Sequence, residues 1–195
     1  NCMRFFHIQL LKNDFESKEI SIGDFAKKLL GQIVFLYFLQ KKGWFGVPMT
    51  KKWGEGDRRF LRSIFEKSNK ESKNFFNDYL EPLFYEALAK ERDGNYYSRF
   101  ECKIPFLNGG LFDPIGDYDW WNTVINLPND LFSNNYISQD KHKDIGTGIL
   151  DVFDRYNFTV REDEPLEKEV AIDPEMLGKV FENMLEVKDP KSKGT

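Results

Sequence analysis

The stretch DFAKKLLGQIVFLYFLQKK, residues 24–42, decides the fold class of this sequence. Its apolar residues recur at helical spacing, and residues 33–39 are apolar nearly all round, which is typical of a helix in the centre of a core. Asp24 can cap the amino end of such a helix. Two lysines suit the negative end of its dipole, and Gly43 can adopt the left-handed stop. The sequence therefore predicts a long central helix.

Apolar residues at helical spacing predict four further helices, at residues 57–68, 74–92, 145–155 and 173–185. Asp57 and Asn74 can cap the first two of these, and Asp173-Pro174 is a strong start signal for the last. Pro82 is expected to kink or divide its helix, and Gly94 to end it.

Between residues 95 and 137 the helical period is lost, because Pro, Gly and Asn-Gly steps interrupt it repeatedly. Short strands are possible at 99–104 and 121–127, and residues 157–161 also alternate like a strand. Asn108-Gly109-Gly110 predicts a tight turn with positive backbone dihedral angles. That turn would hold four apolar residues against the core: Phe106, Leu107, Leu111 and Phe112.

These patterns predict a mainly α fold, a helical bundle-like domain with an irregular middle segment that contains short strands. The expected parts are a helical part with a basic segment, an irregular segment, a second helical part and a polar linker, at residues 1–94, 95–143, 144–187 and 188–195. The chain begins with Asn1 and ends without a closing structural signal, so we expect it to be a piece of a larger protein.

Composition narrows the class of protein. A chain of 195 residues that is 41% hydrophobic can bury a core. Cys2 and Cys102 are too few for a disulfide framework or for a zinc site of thiolates alone, and a reducing cytoplasm is the simplest location. The longest apolar run, 33–39, is too short to span a bilayer, so no membrane partner is expected.

Charge is unevenly distributed along the chain. The whole sequence carries a net charge of −4, yet residues 27–73 hold twelve lysines and arginines against four acidic residues. Such a stretch can bind the phosphates of DNA without reading its sequence, although it can equally be a solvated helical face. The candidate phosphate contacts are Lys41, Lys42, Lys51, Lys52, Arg58, Arg59 and Arg62.

One grouping could support nuclease chemistry. Asp93, Glu101 and Lys103 have the composition of a Mg²⁺-dependent nuclease site, in which two carboxylates hold the cation and a lysine lies near the attacking water. However, Asp93-Gly94-Asn95 is also a typical turn, and Glu-x-Lys is common in a chain that is 31% charged. The stand-alone nuclease therefore stays an alternative.

Other groupings are weaker. Residues 144–148, Asp-Ile-Gly-Thr-Gly, look like a cofactor-binding glycine loop, but the polar residues before them cannot form the buried strand that such a loop follows. His7 and His142 have no partner at ligand spacing, so no metal ligand is assigned. Four tryptophans could stack on bases, although packing is the commoner use of such rings: Trp44, Trp53, Trp120 and Trp121.

Three segments resemble the region ahead of the methyltransferase domain in bacterial single-chain type IIG restriction–modification enzymes and their adenine methyltransferase relatives. The first is GQIVFLYFLQKKGW, residues 31–44, and the second is PFLNGGLF, residues 105–112. The third begins with YNFTV, residues 156–160, continues through DPEMLGKVFE, residues 173–182, and ends with Lys-Gly-Thr at 193–195.

The resemblance implies a parent enzyme that methylates adenine in DNA with S-adenosylmethionine, and that in many members also cuts DNA with a Mg²⁺-dependent nuclease domain. The family's methyltransferase signature contains two adjacent prolines, which this chain lacks, and its nuclease signature would lie before Asn1. No catalytic residue and no cofactor are therefore assigned here. The resemblance implies a non-catalytic helical connector between nuclease and methyltransferase domains, with a purely structural module without DNA contact as a further alternative.

Overall fold

The computed structural model describes residues 11–107, 110–116, 118–134 and 146–155. Residues 11–17 are helical (α1) and precede three α-helices, which are α2 (Ile22–Lys41), α3 (Phe60–Lys70) and α4 (Ile149–Arg155). Two π-helical segments, Phe76–Leu80 and Leu83–Leu88, follow α3, and three single 3₁₀ turns lie at Asp93–Asn95, Gly110–Phe112 and Asn129–Leu131. The predicted mainly α class is confirmed. The predicted bundle arrangement and division into parts stay predictions.

Helix α2 lies at the centre of the core, as its apolar pattern predicts. Ten of its residues are buried, and Ile33, Phe35 and Leu36 are completely inaccessible to solvent. The predicted cap was wrong, because the helix begins two residues earlier and Ser21 accepts from the Asp24 backbone N–H at 3.4 Å. The predicted stop is confirmed, since Gly43 has a φ of +69°.

Helix α3 begins at Phe60, three residues after the predicted start. Asp57 is held outside the helix, because its backbone N–H donates to Phe45 and its carboxylate accepts from the Arg59 N–H at 2.7 Å. The N–H of Leu61, in the first turn, is satisfied instead by the side-chain oxygen of Gln40 on α2 at 3.0 Å. A buried polar residue of one helix therefore caps the next.

Residues 75–88 form one continuous helix composed mostly of π turns. Asn74 caps it as predicted, accepting from the Asn77 N–H at 2.9 Å. Pro82 lies between the two π-helical segments, where the missing N–H and the bulk of the ring disfavour regular α-helical bonding. The helix ends at Leu88, whose carbonyl accepts from Leu107, so the predicted end at Gly94 was wrong.

The strand content is smaller than predicted. Strands β1 (Tyr96–Tyr97) and β2 (Cys102–Lys103) form an antiparallel hairpin, with Tyr97 opposite Cys102, so only two residues of the expected strand 99–104 are extended. Residues 121–127 form a turn and a coil, because the Asp119 side chain accepts the next N–H groups and no described strand lies alongside. Positions 157–161 and 173–185 lie outside the described residues.

The first two resemblance segments pack against each other. Gln32 on α2 donates to the carbonyl oxygen of Leu111 at 2.8 Å, and the rings of Phe35 and Phe112 lie 5.8 Å apart. Leu107, Leu111 and Phe112 are buried, and Phe106 is half-buried, so the predicted packing of this segment against the core is confirmed. Asn108 and Gly109 of the predicted turn lie outside the described residues.

Candidate nucleic-acid interface

The basic segment is carried by a loop, residues 43–59, whose two ends are bonded to each other. The carbonyl oxygen of Gly43 accepts from the N–H groups of Gly54 at 3.1 Å and Gly56 at 2.9 Å. A Cβ at Gly56 would lie only 2.0 Å from the carbonyl oxygen of Phe45. This close approach of two backbones explains why glycine stands at position 56, and it gives the loop a defined base.

Two apolar side chains anchor this basic loop in the core. Phe45 is 0% exposed and stacks on Phe60 of α3, with ring centroids 5.4 Å apart. Val47 is equally buried, and its carbonyl oxygen accepts from the Lys103 N–H of β2 at 2.8 Å. Phe45 is therefore a packing residue and is not available to a nucleic acid.

The tip of the basic loop is open to solvent. Every residue from 48 to 55 is exposed, including Lys51, Lys52 and Trp53. The ammonium group of Lys103 lies over the Trp53 ring, 5.4 Å from its centroid, and also donates to the backbone oxygen of Lys51. Lys103 thus ties the loop tip to the hairpin and adds a cation that sequence reasoning had placed in a nuclease site.

The seven predicted phosphate contacts have different environments. Five are exposed on or beside the basic loop: Lys42, Lys51, Lys52, Arg58 and Arg59. Lys41 is half-buried, and burial lowers the pKa of its ammonium group. Arg62 is only 7% exposed.

The prediction for Arg62 is corrected by its partners. Its guanidinium lies 2.9 Å from a carboxylate oxygen of Asp151 and 2.7 Å from one of Asp154, and it donates to the Ser133 hydroxyl at 2.8 Å. Tyr37 of α2 donates its hydroxyl to the same Asp154 at 2.7 Å. With two carboxylates already in place, Arg62 is a link between helices and not a phosphate contact.

This polar cluster also perturbs the ionisation of Asp151. Burial opposes ionisation, but hydrogen bonds from Ser133, the Asn134 backbone and Arg62 outweigh it, so the pKa of the Asp151 carboxyl lies below its ordinary value. Sequence reasoning missed the cluster, although one signal was present. Arg62 and Phe65 are three residues apart on α3, so the arginine interrupts an otherwise buried face.

Of the three candidate nuclease residues, only Lys103 lies on a strand, β2, and the two carboxylates do not. Glu101 occupies the hairpin loop with a left-handed φ of +55°, and Asp93 lies exposed in a 3₁₀ turn. Among the residues that the structure describes, no group of three or more His, Cys, Asp or Glu side chains could hold a metal ion. Two exposed carboxylates on separate turns lack the rigid support that a metal site needs.

The glycine loop ahead of α4 has a packing role in its described part, Gly146 to Gly148. A Cβ at Gly148 would lie 2.5 Å from the backbone of Phe132, so the two backbones are in direct contact. The Gly148 N–H donates to Asp151 at 3.2 Å, which ties the loop to α4. Asp144, Ile145 and His142 lie outside the described residues, as does His7.

Two tryptophans lie far from the basic loop in sequence. Trp120 is half-buried against Tyr85, with centroids 5.5 Å apart, while Trp121 is 70% exposed. Trp44 is half-buried beside the core cluster. Trp53 is therefore the tryptophan that the structure places among the exposed cations.

The chain is similar to a protein of Methanocaldococcus jannaschii named "Putative type II restriction enzyme and methyltransferase". The two are 32% identical over 177 residues, which cover 88% of this chain and 13% of that protein. The chain therefore spans only a small part of the length of the protein that it matches. No family model matches it, and no solved structure matches it. Among the described helices, none is both long and apolar enough to cross a membrane.

Proposed function

We propose that this chain is a non-catalytic helical connector of a type IIG restriction–modification enzyme, and that its basic loop contacts the DNA backbone. The connector role rests on the similarity to 13% of a longer restriction and methylation enzyme, combined with a mainly α structure. DNA, the neighbouring nuclease domain and the neighbouring methyltransferase domain are the partners that this role requires.

The proposed DNA contact rests on one observation: the basic loop has an anchored base and an exposed cationic tip. Its base is fixed by Phe45 and by the bonds to Gly43, while Lys51, Lys52 and Trp53 project from an exposed tip. A rigid base reduces the conformational entropy lost when cationic side chains bind. Lysine and arginine bound to phosphates release condensed counterions, which favours binding without sequence recognition.

A salt titration tests this contact. Duplex DNA binding by the full-length protein that contains this chain is measured from low to high salt, for the wild type and for Lys51→Ala, Lys52→Ala, Arg58→Ala and Arg59→Ala combined. Each lost phosphate contact should reduce the slope of log affinity against log salt by about 0.9. An unchanged slope and affinity would make this segment a solvated face, as in the purely structural alternative.

Catalysis is assigned to other parts of the intact enzyme. In the described part of the chain, no glycine loop follows a buried strand, and no group of three or more His, Cys, Asp or Glu side chains could hold a metal ion. We therefore assign no S-adenosylmethionine or Mg²⁺ site to these residues. The isolated chain is expected neither to methylate nor to cut DNA. Mg²⁺-dependent cleavage that disappears in Asp93→Ala and Glu101→Ala would instead establish the stand-alone nuclease.

A further inference from the structure

A groove of about 700 Å³ separates α3 from α4, beside the basic loop. Its α3 wall is one helical face, because residues 59, 62, 66 and 70 follow at spacings of three and four. Its lining residues are Arg59, Arg62, Phe65, Glu66, Asn69, Lys70, Gly146, Asp151, Asp154 and Arg155. Arg59 belongs to both the groove and the basic loop, so the two surfaces are continuous.

The charges of the groove divide into an ion-paired interior and a mouth with three cations. In the interior, Arg62 is paired with the buried Asp151, and it also contacts the exposed Asp154, as described above. At the mouth, three exposed cations face two exposed anions, Glu66 and Asp154, and Asp154 is already paired with Arg62. None of the three cations forms an ion pair with another described residue. These cations are Arg59, Lys70 and Arg155.

We propose that the groove between α3 and α4 binds the phosphodiester backbone of DNA, with Lys70 and Arg155 as phosphate contacts beyond the basic loop. This inference rests on the proposed function and extends the DNA-contacting surface from the basic loop into the groove. From Arg59 to Lys70 the helix rises roughly 16 Å at 1.5 Å per residue. One strand of duplex DNA carries a phosphate about every 3.4 Å of axis, so the groove mouth is long enough to follow several phosphates.

The local chemistry suits such a strand. Arginine binds phosphate oxygens through paired N–H donors, and lysine binds them as a compact charge. Asp151 and Asp154 do not repel the strand at full strength, since each is in contact with the Arg62 guanidinium. Asn69 adds an uncharged polar group to the lining.

The test uses the same salt titration on the full-length protein, with duplex DNA as the probe, for Lys70→Ala combined with Arg155→Ala. The matched control removes two exposed lysines outside the groove lining, one on α1 and one in the amino-terminal half of α2: Lys12→Ala combined with Lys27→Ala. If both groove cations touch phosphate, the salt slope should fall by about 1.8, while the control keeps the wild-type slope. A Lys70→Arg, Arg155→Lys variant should retain the slope, and equal thermal unfolding of all variants shows that folding is intact.

The outcomes distinguish the groove contact from the proposed function on which it rests. A reduced slope in both the basic-loop variant and the groove variant supports a continuous phosphate path. A reduced slope in the basic-loop variant alone overturns the groove contact and leaves the proposed function in place. An unchanged slope in both variants overturns both the groove contact and the proposed function. If the Lys12, Lys27 control loses as much slope as the groove variant, the effect is not specific to the groove, and the groove contact is overturned.

Discussion

Arg62 on α3 and Asp151 on α4 form a buried ion pair with an N–O distance of 2.9 Å, although they are 89 residues apart in sequence. The same guanidinium also contacts Asp154 and Ser133. Because both partners of the pair are almost fully removed from solvent, the pair holds α4 against the helix that follows the basic loop. The interior of the proposed DNA groove is therefore also the junction between two parts of the chain.

Replacing Arg62 by methionine should destabilise the protein strongly. The substitution leaves Asp151 buried without its cation, and breaking a buried pair in this way typically costs about 3–5 kcal/mol. Urea unfolding of the wild type and Arg62→Met measures the loss. Arg59→Met is the matched control, because Arg59 is exposed three residues away and should change stability by no more than roughly 0.5 kcal/mol. Equal stability of the two variants would show that the pair contributes nothing.

The second prediction concerns Glu81, whose buried carboxyl should make the stability of the protein depend on pH. Its carboxyl is 2% exposed and accepts from the Tyr118 hydroxyl, and burial raises its pKa from 4.5 to about 8, against a lowering by that hydrogen bond. The folded state therefore binds the proton more tightly than the unfolded state, so this contribution is fully present below pH 4.5. This contribution to stability is lost as the pH rises through the folded-state pKa of Glu81, which is about 8.

Thermal unfolding between pH 5 and pH 9 provides the measurement for Glu81, compared with Glu81→Gln. The amide keeps the shape of the side chain and cannot ionise, so the variant should lose less stability than the wild type across this interval. Near pH 8 the variant should therefore unfold at a higher temperature than the wild type. Parallel curves for the two proteins would show that Glu81 ionises without cost in the folded state.

Gly56→Ala tests whether the basic loop depends on its closed base. The added Cβ would lie 2.0 Å from the Phe45 oxygen and 2.7 Å from the Gly43 oxygen, and relieving such crowding typically costs about 1–3 kcal/mol. DNA affinity should fall with stability, because the tip is displaced. Gly23→Ala is the control, since a Cβ there meets nothing within 4 Å, and it should be neutral or slightly stabilising. If Gly56→Ala unfolded and bound DNA like the wild type, the closed base would have no role.

The structure shows which features local sequence patterns can predict. Helix α2 was predicted within two residues, because a long apolar stripe leaves few alternatives. The start of α3 was displaced because Asp57 bonds to Phe45 across the loop. Such bonds join positions that no short-range pattern connects.

The candidate site shows the same division. The exposed lysines and arginines of the basic loop were found from charge alone, whereas the burial of Arg62 depends on Ser133 and α4, which lie 71 and 89 residues away in sequence. The strand expected at 99–104 reduced to two residues because its partner is equally short. Charge patterns therefore indicate the basic loop as a candidate surface. The fold shows which of its cations are exposed and that Arg62 is buried in an ion pair.

Steady-state methylation of duplex DNA by the intact enzyme tests the central claim most directly. The wild type is compared with Lys51→Ala, Lys52→Ala, Arg58→Ala and Arg59→Ala combined, at two salt concentrations. If the connector contacts only the DNA backbone, the variant should have a higher KM for DNA than the wild type, and the difference should grow at high salt. The kcat of the variant at saturating DNA should be unchanged. A fall in kcat with an unchanged KM, or no methylation by the wild-type enzyme, would contradict the account.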